Sequence, residues 1–287
     1  MRLGFLGLGF MGVPMARILS RRFPLIVWNQ SPTKYVALKK DRGKVSIGET
    51  HTKVVENLDI IFMMLFNAAA TSSILSKDLK KDIRGKILVN TSLVTVEFSK
   101  SFDEEVREAS GQFLEMPVSG SKIPVEQGQL VAMMSGDPDL AKLVEPFVEP
   151  LSFSAIYCDP IGSGLKAKYA VNTLLITLTV GLAESMNLAQ AQGLNFEAFA
   201  KVLDACPMAS PYSKIRVGKM LNQDWSPQAA TKDCYNSTQL IQSAAVAANS
   251  RSPLTAVCGE LYAKAMGTGM GEEDMISVAK QIASHQT

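Results

Sequence analysis

Histidine is nearly missing from this chain: among 287 residues only His51 and His285 carry an imidazole. A Ser-His-Asp hydrolase or a histidine-rich metal site needs imidazoles held beside partners, so neither class fits and no metal is expected. Cysteine is scarce too. Cys158, Cys206, Cys234 and Cys258 form no CxxC pair and no dense framework, which reads as buried or idle thiols in a reducing, cytoplasmic setting. Charged residues make up only 20%, and 29 basic against 27 acidic residues leave a net charge of +2. No basic run exceeds a pair such as Arg21-Arg22 or Lys39-Lys40, so neither nucleic acid nor a membrane surface is an expected partner. The chain passes from Met1-Arg2 into an apolar strand without a long apolar leader and cleavage site. Its best candidate for a membrane span, Tyr169 to Ala183, contains Asn172, Thr173, Thr177 and Thr179 and falls short of the roughly 20 residues required. It reads better as a helix buried between domains or subunits.

What is present is enough apolar material, 47% of the chain, for two packed domains, expected at residues 1–161 and 162–287. Arg2 to Leu6 is a short apolar strand. Gly7-Leu8-Gly9-Phe10-Met11-Gly12 follows at once, and then an amphipathic helix, Val13 to Arg22. This is GxGxxG in its required setting, where Gly7 permits the tight turn, Gly9 the approach of a pyrophosphate and Gly12 close packing of helix on strand. The helix N-terminus then offers unpaired N–H groups to phosphate. A glycine turn that binds nothing is the bland alternative.

The next strand, Leu25 to Asn29, ends where such folds contact the adenosine ribose. An NAD site usually has a carboxylate there. Here stand Asn29, Gln30, Ser31 and then Lys34, a neutral loop with a lysine that can accept a 2′-phosphate, which favours NADP(H) over NAD(H). Asn29 and Ser31 could equally cap the helix starting at Pro32. Further apolar runs, Asp59 to Leu65, Ile87 to Thr91 and Gln112 to Met116, alternate with the helical patterns Ala68 to Ser76 and Val96 to Ala109. That alternation predicts an α/β fold with a doubly wound, mostly parallel Rossmann-type sheet. Met64 and Leu65, with the loops Phe66-Asn67-Ala68 and Ser92-Leu93-Val94, fall at carboxyl ends of strands, where the nicotinamide belongs.

Glu115 to Pro124, EMPVSGSKIP, is too polar and too rich in Gly and Pro to continue its strand. Its Ser-Gly-Ser turn makes a small anion nest suited to a carboxylate, although an ordinary turn looks the same in sequence. Pro160 to Ala191 then runs about thirty residues with only Gly181 as a breaker, on the order of 45 Å of helix. On it Lys168 and Asn172 share a face, whereas Lys166 points about 200° away from Lys168. Downstream, Phe196 to Leu203, Tyr212 to Leu221, Gln228 to Ala248, Thr255 to Met266 and Asp274 to Ala283 are helical patterns, an all-α domain reached through the long helix.

Four motifs in order, GLGFMGVPMARIL, NQSPTK, PVSGSKIPVEQGQL and GSGLKAKYAVN, make the chain resemble the β-hydroxyacid dehydrogenase family nearly end to end. Within it the third motif is most similar to glyoxylate/succinic semialdehyde reductases, which use NADPH. The resemblance implies that Ser119 and Gly120 hold a substrate carboxylate, that Lys168 is the catalytic lysine and that Asn172 is its partner. It also implies Lys232 near the nicotinamide, with Asp233 and Trp225 at the substrate pocket. Gln30 departs from the arginine that often reads the 2′-phosphate, and Leu93 from a threonine that often meets cofactor and substrate. The expected protein is a homodimeric or homotetrameric NADPH-dependent reductase of a small carboxylate-bearing aldehyde or ketone. An imine reductase and a catalytically silent cofactor-binding scaffold are the alternatives, and the lysine argues against both.

Overall fold

The computed structural model describes residues 1–39, 44–56, 58–74 and 82–283. The chain divides into two compact units, Met1–Lys168 and Tyr169–Thr287.

The first unit is built on the strands β1 (Leu3–Leu6), β2 (Leu25–Trp28), β3 (Val45–Ile47), β4 (Ile60–Met63), β5 (Ile87–Asn90), β6 (Gln112–Glu115), β7 (Val118–Ser119), β8 (Leu130–Gly136) and β9 (Ser152–Tyr157). Their order is β3-β2-β1-β4-β5-β6-β8-β7, with β9 beside β8. The first six pair in parallel, as the alternation of strand and helix predicts. This is the dinucleotide-binding order, with its switch point between β1 and β4. Along β1, β4 and β5 successive side chains enter opposite cores: Phe5, Phe62 and Val89 pack on one face, Leu6, Met63 and Leu88 on the other. A strand buried on both faces has to read as a continuous apolar run, as these do.

The sequence pattern does not show β3, nor the rest of the sheet beyond β6. β8 runs antiparallel to β6, Glu115 opposite Ser135, and Val118–Ser119 rejoins the sheet against Val131 and Ala132 instead of leaving it. Two residues suffice because Pro117, having no N–H, still lends its carbonyl to Met133 at 3.0 Å. Helices α1 (Gly12–Arg22), α2 (Val36–Lys39), α3 (His51–Glu56), α4 (Ala68–Ile74), α5 (Val96–Glu108), α6 (Lys122–Glu126) and α7 (Pro138–Val148) accompany the strands. The expected helix from Ala68 to Ser76 is described as far as Ile74; Leu75 and Ser76, like His285, lie outside the described residues.

The long helix, α8, is Ser163–Ala191. Gly181 does not interrupt it. It is long and apolar enough to cross a membrane, with mean hydropathy 1.2 in its most apolar window, yet 44% of that window is buried within the protein. The second unit continues as α9 (Phe196–Ala205), α10 (Pro211–Leu221), α11 (Thr231–Ala247), α12 (Pro253–Gly267) and α13 (Val278–Ala283). Pro211 and Pro253 occupy first-turn positions, where a missing N–H costs nothing. Arg216 and Asp274 form a buried ion pair at 2.5 Å within this unit, with the guanidinium over the Tyr212 ring.

Candidate active site

The glycine loop is shaped by close approach. A Cβ on Gly7, which has φ +96°, would stand 2.2 Å from the Met64 carbonyl oxygen, and one on Gly12 1.9 Å from that of Gly7. A Cβ on Gly9 would meet no protein atom within 4 Å. The loop is thus held close to the end of β4 at Gly7, folded onto itself at Gly12 and open at Gly9, the arrangement that admits a pyrophosphate. Phe10 is exposed, Met11 is half-buried against the core, and Leu8 is fully buried in it.

Asn29 and Leu8 are used on each other. Leu8 N–H donates to Asn29 Oδ1 at 2.7 Å, and Asn29 Nδ2 donates to the Ser31 carbonyl at 3.0 Å. The short 3-10 turn Pro32–Tyr35 follows, and Ser31 makes no side-chain cap to it, contrary to the capping alternative. Instead the Tyr35 hydroxyl exchanges hydrogen bonds with the Asn29 N–H and carbonyl, at 2.8 and 2.9 Å. Beside them is a cavity of about 570 Å³ lined by Trp28, Asn29, Gln30, Tyr35, Glu49 and His51 among others. It lies past the carboxyl ends of β2 and β3, where the adenosine end of a dinucleotide is held, so the residues present fit such a cofactor. Glu49 is paired with Lys53, and Lys34 is exposed in the turn. Trp28, Glu49 and His51 went unassigned in the sequence, because the cavity forms only when β3 is laid beside β2.

At the switch point, Ser92 Oγ accepts the Leu65 N–H at 2.8 Å, and Thr91 Oγ1 donates to the Met63 carbonyl at 2.8 Å and to Met64 Sδ at 3.2 Å. Those bonds hold Met64 and Leu65 at the end of β4 beside Gly7; both, like Leu93, are half-buried.

Ser119 ends β7, and Gly120 has φ +134°, where a Cβ would stand 2.5 Å from Leu130 Cδ2. Only glycine serves there. Lys168 is half-buried in α8. Asn172, one turn further along the same helix face, is buried; its Nδ2 reaches Ser237 Oγ at 3.4 Å, and its Oδ1 is buried without a hydrogen-bond partner. Ser237 in turn donates to the Asp233 carbonyl at 2.8 Å, so Asn172 and the first turns of α11 meet. Asp233 keeps access to solvent, but the protein crowding around it pushes its carboxyl up from its ordinary value, with Lys232 pulling it back. Lys232 pairs with Glu272, and Trp225 lies under the Lys280 ammonium at 4.5 Å. No described contact joins Trp225 or Lys232 to Asn172. Ser237 was missed, though its place four residues after Asp233 was a usable signal.

This sheet order with this glycine loop defines a dinucleotide-binding protein. Residues 2–158 match the family described as the NAD binding domain of 6-phosphogluconate dehydrogenase. Residues 162–282 match that described as NAD-binding of NADP-dependent 3-hydroxyisobutyrate dehydrogenase. Among relatives, glyoxylate/succinic semialdehyde reductase 1 of Arabidopsis thaliana is 29% identical over 98% of this chain and 98% of its own length. The mitochondrial 3-hydroxyisobutyrate dehydrogenase of Mus musculus is 27% identical over 99% of this chain and 87% of its own. A 3-hydroxyisobutyrate dehydrogenase structure from Salmonella typhimurium superposes with a TM-score of 0.89 at 20% identity, covering 98% and 99% of the two chains. The chain belongs to the β-hydroxyacid dehydrogenase family and is an NAD(P)-dependent oxidoreductase.

Proposed function

We propose that the chain reduces small aldehyde and oxo acids, glyoxylate and succinic semialdehyde first among them, with NADPH as the hydride donor and Lys168 as the proton donor. The observation that carries this reading is the pairing of a half-buried Lys168 with a buried Asn172 on one face of α8, the Asn172 Oδ1 having no partner of its own. Bound NADPH supplies a hydride for the carbonyl carbon. The chain supplies the rest. Ser119 and the backbone of Gly120 grip the substrate carboxylate. Lys168 stabilises the negative charge developing on the carbonyl oxygen and releases its proton to it. Asn172 accepts from the ammonium and orients it, and the family resemblance assigns Asp233 and Trp225 to the substrate and Lys232 to the nicotinamide.

NADP preference is supported by the neutral run Asn29-Gln30-Ser31 and by the pairing of Glu49, the carboxylate that lines the cavity among the described residues, with Lys53. The substrate class is supported by the plant relative. Exposed Val171, Leu174 and Leu178 at helical spacing on α8 support a homodimer or homotetramer. The test is an NADPH and NADH oxidation assay over glyoxylate, succinic semialdehyde, tartronate semialdehyde and a cyclic imine. Turnover of an oxo acid with NADPH is expected. Oxidation of neither cofactor with any oxo acid, or turnover of the imine alone, sinks the reading.

A further inference from the structure

The first turn of α8 is capped from a distance. A helix begins with four N–H groups lacking helical acceptors, usually satisfied by a local Ser, Thr, Asp or Asn. α8 has no acidic residue in its first turn. Its donors turn to the sheet instead: Gly162 N–H reaches both oxygens of Glu115 at 3.1 Å, Leu165 N–H reaches Glu115 Oε1 at 3.0 Å, and Gly164 N–H reaches Ser135 Oγ at 2.7 Å. The Ser99 hydroxyl donates to Glu115 Oε2 at 2.5 Å. Glu115 is 1% exposed, and Ser99 and Ser135 are fully buried.

The two glycines make this approach possible. A Cβ on Gly164 would stand 2.7 Å from the Met133 carbonyl oxygen and 3.2 Å from Glu115 Oε1, and one on Gly162, at φ +96°, 2.7 Å from Val96 Cγ1. Burial pushes the Glu115 carboxyl up, and hydrogen bonding from Ser99, Leu165, Gly162 and Gly164 opposes that. Burying a carboxylate without a counter-charge is costly. A local cap would satisfy the same N–H groups without tying the first turn to the sheet. The distant cap ties residues 162–165 to the ends of β6 and β8.

Lys168 follows Gly164 by four residues and Leu165 by three, about 5 Å further along the axis. We propose that Glu115, with Ser135, is a positioning residue that sets where the Lys168 ammonium stands and so governs proton transfer. The proposal rests on the reading of Lys168 as proton donor. A misplacement of about 1 Å at a reacting group costs up to about 10²-fold in rate, so a small shift at the cap reaches the chemistry.

The test compares the full-length Glu115→Gln and Glu115→Ala variants with wild type. Glu115→Gln keeps one carbonyl acceptor, and it decides the question if Glu115→Ala does not fold. The expected result is a kcat about 10-fold lower for Gln and about 10²-fold lower for Ala, with KM and the NADPH Kd within about 2-fold. Amide hydrogen exchange should rise over residues 162–168 alone, and the acylation rate of Lys168 by an amine-reactive reagent should change at least about 3-fold while that of Lys166 stays constant. Unchanged kcat per folded molecule, or deprotection spread over the whole chain, overturns the proposal. If wild type reduces no oxo acid, the functional reading fails by itself, and the exchange and acylation results still decide: an altered Lys168 beside an unaltered Lys166 upholds the positioning role, and an unaltered Lys168 overturns it.

Discussion

Asn29 Oδ1 accepts the Leu8 N–H at 2.7 Å, joining the end of β2 to the glycine loop across twenty-one residues of sequence. Leu8 is fully buried, so that N–H has no water to turn to. Asn29→Ala should leave it unsatisfied at about 1–3 kcal/mol and loosen the loop. The NADPH Kd, read by calorimetry, should rise about 10-fold. Asn29→Asp keeps the acceptor and adds a charge, and should weaken NADPH more than NADH. An equal loss for both cofactors would place Asn29 in the loop's architecture alone.

Lys168→Ala should lower kcat by about 10²–10⁴-fold. NADPH binding, followed by its fluorescence, should stay within about 2-fold, because the cofactor loop and the cavity at Trp28 are made by other elements. Near-normal turnover would end the case for Lys168.

Gly120→Ala forces a methyl to 2.5 Å from Leu130 Cδ2 on a backbone at φ +134°. The strain should cost about 1–3 kcal/mol of stability. Because the turn is the proposed carboxylate grip, KM for the oxo acid should rise more than kcat falls. Steady-state kinetics beside a melting curve separates the two effects.

The Arg216–Asp274 pair is 3% and 0% exposed at its side chains, and the Asp274 carboxylate also accepts the N–H groups of Gln228 at 2.8 Å and Ile276 at 3.1 Å. Asp274→Asn should destabilise the protein by about 3–5 kcal/mol by leaving a buried guanidinium unpaired. Urea unfolding reads this. Replacing both partners with apolar residues should cost less than either single change.

His51 packs edge-on against Trp28, with ring centroids 5.1 Å apart, and its Nε2 is buried without a partner. Burial holds its pKa below the ordinary histidine value, so the folded state favours the neutral ring. The stability this contributes is complete above the unfolded histidine pKa of about 6.5 and is lost as pH falls through the lower folded pKa. Wild type should therefore lose more melting temperature than His51→Gln between about pH 7.5 and about pH 5.5. Parallel curves would show that the ring gains no proton in that range.

Much of the candidate site is legible in the sequence because its demands are local. Gly7 and Gly12 are needed by the backbone itself, Gly9 leaves room for a phosphate, and Ile60 to Met63 announces a strand buried on both faces by being wholly apolar. Lys168 and Asn172 share a face by helical periodicity alone. β8 was not legible, since its direction is set by the partner β6, and a run such as Leu130–Gly136 carries no mark of it. Glu115 looked like one more polar residue in a turn, and Ser135 and Ser237 like ordinary serines.

The sequence by itself determined the dinucleotide fold, the glycine loop, the long helix and the residues with chemistry to offer, because steric limits and short-range periodicity write these into neighbouring positions. Only the tertiary structure decided that Asn29 serves Leu8, that the cavity beside Trp28 is completed by His51, and that a buried glutamate on β6 caps α8. Each of these joins groups twenty to fifty residues apart. The physical reason is the same in each case: a donor or a ring removed from water must find a partner, and which partner it finds depends on how the sheet brings distant strands together.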